Sequence, residues 1–203
     1  MGRPKVAILS RDAIASAALG LIDKNGKVTV SEVARTLGVA PASLYNHVSG
    51  LDEIVELVRE RIHVQQGPKI DPAWTWQEVI RHVAQHDRDS IGEHPWSVAD
   101  LMISTVAADE ALDSVRTFAR VLEDAGFEPE EVLAVIGSVD LLTAGGALDI
   151  NAPERVYSIE AELADDALGR ALRAAPKGRA RADFVFAFAV DALISALEAR
   201  RPA

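Results

Sequence analysis

The sequence predicts an all-α protein of about nine or ten helices. Three observations carry that expectation. Apolar residues recur at three- and four-residue spacing along most of the 203 positions, no strand-like alternation runs longer than a few residues, and the periodic segments are bracketed by helix start and stop signals.

The first helix starts at Ser10, a good N-cap, and carries Ile14, Ala17, Ala18, Leu21 and Ile22 on one face. Leu9 and Ile14 are spaced for a hydrophobic staple, and Asn25-Gly26 supplies the left-handed residue that ends a helix. Thr29 and Glu32 then have the T-x-x-E spacing of a capping box. Val33, Ala34 and Leu37 give the second helix its inward face, and Gly38 permits a sharp turn. Pro41 suits a first helical position, where its missing N–H is not needed. Beyond it Leu44 and Val48 point inward, leaving Ala42, Ser43, Tyr45, Asn46 and His47 nearer the outside. A fourth helix starts near Asp52, with Ile54, Val55, Leu57, Val58 and Ile62 on one side.

Gly67-Pro68 and Asp71-Pro72 divide this head from the remainder, so the predicted domains are 1–50, a connecting helix over 51–66, and a body over 67–203. In the body the pattern predicts a long helix from Trp74 or Trp76 to about Glu93, a short one from Trp96 to Thr105, one over Ala108 to Ala125, and one from Pro129 to Ile150. A further helix is expected around Asp165 to Ala174. The last, Ala182 to Arg200, is apolar nearly all round, which predicts burial on two sides.

Composition narrows the function classes. With no cysteine, disulfides, thiolate nucleophiles and Cys-ligated zinc are excluded. No uninterrupted apolar run approaches the roughly 20 residues of a membrane span, the longest being Phe184 to Val190. The N-terminus has no signal-peptide core, so the expectation is a cytoplasmic protein with no membrane partner. Net charge is −10 and unevenly spread. Residues 1–50 hold Arg3, Lys5, Arg11, Lys24, Lys27 and Arg35 against Asp12, Asp23 and Glu32, a balance of +3 that leaves −13 on the rest. A nucleic-acid-facing head on an acidic body would show this asymmetry, although acidic surfaces are common.

The segments SRDAIASAALGLIDKNG and TVSEVARTLGVAPASLYNHVSGLDEIVELV resemble the N-terminal DNA-binding domain of the TetR (tetracycline-repressor-like) family of bacterial transcription regulators, LGV and LYNHV being the most specific part. The end, ADFVFAFAVDALISALEAR, is similar more loosely to the last helix of such proteins. The resemblance implies a homodimer whose two heads read a palindromic operator in double-stranded DNA, and an all-helical body that binds a small-molecule effector. Tyr45 and His47 match positions that hold the sugar-phosphate backbone. Asn46 has the chemistry to bond adenine through two edges, and Ser43 is a more permissive base reader. Thr29 offers a helix N-terminus to a phosphate, Arg3 and Lys5 resemble a basic arm, and Ser31, Pro41 and Ala42 complete the predicted DNA-facing set. Two residues depart from the pattern. Ser31 stands where the family's founding member has a base-reading arginine, and Leu51 where many members have a phosphate-gripping lysine. Both losses should flatten the salt dependence of binding.

Other signals are weighed against plainer uses. His82 and His86 have metal-ligand spacing, but no H-E-x-x-H pattern accompanies them, and no metal or cofactor is expected. Asp87 falls within the apolar arc of its helix, and Asp140 shares a stripe with Leu133, Ile136, Thr143 and Ala147. A carboxylate there needs an internal partner or a ligand. His86, Asp87, Trp96, Asp140 and Thr143 form the candidate ligand-binding set. Gly145-Gly146 reads as a close helix approach, within the chain or across a dimer. No catalytic constellation appears, so an enzyme is not expected. The function predicted is a ligand-responsive repressor. The alternative is a ligand-binding or adaptor protein whose head no longer binds DNA.

Overall fold

In a computed structural model, residues 9–64, 68–103 and 109–200 are described. Among them the chain is helical with no strand, as the pattern predicted. It divides into two compact units, Met1–Gln66 and Gly67–Ala203. Arg3 and Lys5 lie outside the described residues.

The first unit has four helices: α1 Arg11–Asn25, α2 Val30–Leu37, α3 Pro41–Leu44 and α4 Leu51–Val64. Local chemistry sets their ends. Ser10 accepts from the N–H of Ala13, while Gly26 and Gly38, both at φ 70°, terminate α1 and α2 in the left-handed conformation. Ile14, Ala18, Val33, Leu44, Val48, Ile54 and Val58 are buried and make the core, with α1 packed most extensively on α4. The expected capping box at α2 is only half formed. The Thr29 hydroxyl oxygen accepts from the Glu32 N–H, but the Glu32 carboxylate accepts from that same hydroxyl, at 2.7 Å, rather than from the Thr29 backbone. The third element is also shorter than expected. After Leu44 the chain continues as a turn, closed by His47 N–H to the Leu44 carbonyl at 2.8 Å and Val48 N–H to the same oxygen at 3.0 Å.

In the second unit α5 Trp76–Gly92 is followed by a 3-10 turn, Pro95–Ser97, and by α6 Val98–Ile103. Then come α7 Asp109–Asp124, α8 Pro129–Ile150, α9 Ile159–Leu163, α10 Ala167–Ala174 and α11 Gly178–Arg200. Helix α9 was not anticipated, and α11 starts four residues before the expected position; Thr105 and Ala108 lie outside the described residues. Thr75 and Glu78 form a complete capping box on α5. The core is built from Val79, Ile80, Val83 and Ala84 of α5, Phe118 and Leu122 of α7, Val132, Val135 and Val139 of α8, and Phe186, Val190 and Ile194 of α11. Helices α5 and α8 run side by side in the same direction: Trp76 meets Phe127 at one end, and Asn151 donates to the Gly92 carbonyl at the other.

Two expectations need correction. First, Phe184 to Val190 remains the longest uninterrupted apolar run, but α8, interrupted by Asp140, is long and apolar enough by length and composition to cross a membrane. Its buried face, from Val132 to Ala147, packs on α5 and α11, a use that gives a core helix the same composition. Second, α11 is covered on one side only. Ala182, Phe186, Val190 and Ile194 are buried, whereas Phe184 and Phe188 are 59% and 70% exposed.

Candidate nucleic-acid interface and ligand cluster

The head carries an exposed row of polar and aromatic groups on a buried anchor. Leu44 and Val48 sit in the core and hold the α3 segment from beneath. Pro41, Ala42, Tyr45 and Asn46 are thereby left exposed, with Ser43 and His47 half-buried. Tyr45 is 57% exposed, leaving a large apolar ring uncovered among the described residues. Thr29 and Ser31 are also exposed, at the start of α2. The predicted DNA-facing residues within the described range are thus accessible, and Leu44 and Val48 alternate with them as inward residues.

Two residues outside the predicted set complete the arrangement. Arg11 donates from Nη1 to the His47 carbonyl at 3.0 Å and pairs with Glu53. The other Glu53 oxygen accepts the Ser49 N–H at 2.6 Å. That backbone bond, followed by the hydrogen bond from Arg11, holds the Glu53 carboxyl down at about 2. A second pair, Arg61 with Asp12, also links α1 to α4. Sequence spacing had no means of showing either pair, since 42 and 49 residues separate the partners.

In the body, His86 Nδ1 lies 3.0 Å from Asp87 Oδ1, each side chain about 30% exposed. Burial, and secondarily the charge of Asp87, pushes the Asp140 carboxyl up to about 6. Asp140 nevertheless keeps much of its own surface accessible. Thr143, one turn further along α8, is buried and its Oγ1 has no hydrogen-bond partner. Four of the five predicted ligand residues therefore fall on the neighbouring helices α5 and α8, while Trp96 meets His94, ring centroids 6.3 Å apart. His82 packs edge-on against Trp74 at 4.7 Å, and no group of three metal-ligating side chains occurs among the described residues.

The buried charge that sequence reasoning missed is Arg88. It is fully buried, donates to Asp183 at 2.8 Å, and lies 4.6 Å from the Phe186 ring centroid. Burial pushes the Asp183 carboxyl up, but hydrogen bonds and charge from Arg179 and Arg88 outweigh it and leave a net lowering. Gly146 makes room for this packing: a Cβ there would come within 2.5 Å of Phe186. The Gly145-Gly146 pair thus serves a helix approach within the chain, at Gly146, and Gly145 faces open space.

No family model matches the chain. The tetracycline repressor protein class E from Escherichia coli is 29% identical over 203 residues, covering 96% of this chain and 93% of that protein. Among solved structures, a putative transcriptional regulator from Streptomyces coelicolor aligns with a TM-score of 0.71 at 21% identity, over 96% of this chain and 99% of that one. The chain is tetracycline-repressor-like in sequence and in fold. The TetR family protein ActR of Streptomyces coelicolor, solved in complex with actinorhodin, also shares this tetracycline-repressor-like fold. Its TM-score is 0.69 at 22% identity, over 95% of this chain and 97% of that one.

Proposed function

We propose that this chain is a DNA-binding transcription regulator, a homodimeric repressor that leaves a palindromic operator when a small molecule binds its body. The observation that carries the proposal is the exposed Tyr45 and Asn46 on a turn anchored by buried Leu44 and Val48, in a head whose first 50 residues are net positive. A short element so anchored presents side chains to base edges and phosphates without moving its backbone. Dimerisation is assigned to α8 and α11, whose exposed Leu133, Leu141 and Leu148, and Phe184, Val185 and Phe188, are apolar surface that a second copy would cover. The effector is assigned to the cluster of His86, Asp87, Asp140 and Thr143. Two carboxylates and an unsatisfied hydroxyl favour a small organic ligand that donates hydrogen bonds or carries positive charge. Relatives named for tetracycline and a solved relative holding actinorhodin support a ligand of small-molecule size. The place of action proposed is the cytoplasm, with no enzymatic step.

Mobility-shift titration against the DNA flanking the chain's own gene, at two salt concentrations, tests the DNA reading. A shift at submicromolar protein that weakens with salt is the expected result. No shift at micromolar protein would favour the second reading, an adaptor that has lost DNA binding, for which uncharged Ser31 and Leu51 are the specific observation. Once an effector is identified, linkage requires that operator DNA weaken its binding by the same factor by which it weakens operator binding.

A further inference from the structure

The reading element of the head has little means of holding its own shape. Helix α3 spans four residues, its N-cap Ala40 offers no side-chain hydrogen bond, and the following turn is closed by isolated backbone bonds. A single helical turn is unstable alone, because ordering it costs more than its one or two bonds return. Leu44 and Val48 fix the underside. The polar side of the turn is held by Arg11 on the His47 carbonyl and by Glu53 on the Ser49 N–H, with Arg11 and Glu53 paired to each other. Arg11 occupies the first position of α1, where a positive charge opposes the helix dipole, so α1 itself does not explain it. Nor does global stability, since an ion pair this exposed contributes little.

We propose that Arg11 and Glu53 are positioning residues that clamp the turn 45–49 in its reading conformation before DNA arrives, so that Tyr45 and His47 are presented already ordered. This rests on the head being the DNA-binding part. The competing use of Arg11, half-exposed as it is, would be a direct grip on a phosphate. The two uses differ in salt dependence, because a lost phosphate contact lowers the slope of log affinity against log salt by about one, whereas lost positioning lowers affinity at every salt concentration alike.

The test uses the full chain and a duplex selected by the unaltered protein from a random pool. Fluorescence anisotropy at three salt concentrations is read alongside amide hydrogen exchange of the free protein. Glu53→Gln and Arg11→Met should each weaken binding about tenfold or more with the salt slope unchanged. Both should speed exchange at 45–49 while leaving α1 and α4 protected, and Arg11→Lys, which keeps a donor, should stay within about threefold of the unaltered protein. A slope reduced by about one in Arg11→Met with unaltered exchange at 45–49 would overturn the clamp in favour of a phosphate grip. Unchanged exchange and affinity in Glu53→Gln would overturn it as well, and that variant decides alone if Arg11→Met does not fold. If the unaltered protein retains no duplex from the pool, the DNA reading fails, while the exchange measurement still decides whether the clamp orders the turn.

Discussion

Asp140 carries the clearest pH signature in the body. Its carboxyl is raised from an ordinary 3.8 to about 6, so between those values the folded state holds more protons than the unfolded one. Stability therefore falls as pH rises through that window, and above about 6 the cost is constant. Asp140→Asn should stabilise the fold at pH 8 by on the order of 1 kcal/mol once the exposure of the group is discounted, seen as a higher melting temperature, and should lose most of that gain at pH 4. Thermal melts of both proteins at the two pH values check this. At the same scale, Tyr45→Ala should abolish the mobility shift and leave the oligomeric state untouched; retained tight binding would mean that another face of the turn meets DNA. Individual residues were only partly legible in the sequence. Asp87 and Asp140 stood out because a helical wheel places them among apolar neighbours. Arg88 did not, since its partner Asp183 lies 95 positions away on a helix whose packing the pattern leaves open.

Among the elements, α8 shows how one small residue sets a helix interface. Gly146 faces the Phe186 ring and the stem of Arg88, so Gly146→Ala should destabilise the body by about 1–3 kcal/mol through overpacking, while Gly145→Ala, which meets open space, should be neutral or slightly stabilising. Denaturant titration of the two variants separates them. The helices themselves were readable from their punctuation: Ser10, Thr29, Gly26 and Gly38 act through local bonds that a sequence states directly. What escaped was a choice between competing local bonds, or was governed by packing that the pattern does not state. The Thr29 and Glu32 side chains paired with each other in place of one of the two capping bonds, α3 stopped after one turn, and α11 kept a bare outer side because apolarity alone does not say which chain will cover it.

For the molecule as a whole, that bare side leads to an oligomeric expectation. Phe188→Glu places a charge in the middle of the exposed α11 surface and should convert a dimer to monomers in sedimentation experiments, with helical content retained. Operator binding should weaken with it, because each half-site would then be bound alone. The fold class was legible from periodicity, and the head from its motif, whereas the proximity of His86 and Asp87 to Asp140 and Thr143 needed two helices brought side by side. The short α3 has one more consequence. On the proposed clamp, specificity in this head would not be a cassette: moving Ser43, Tyr45 and Asn46 into a relative would carry the proposed reading residues without the frame that aims them. A graft that also carries Arg11 and Glu53 should transfer operator choice where the bare substitution does not.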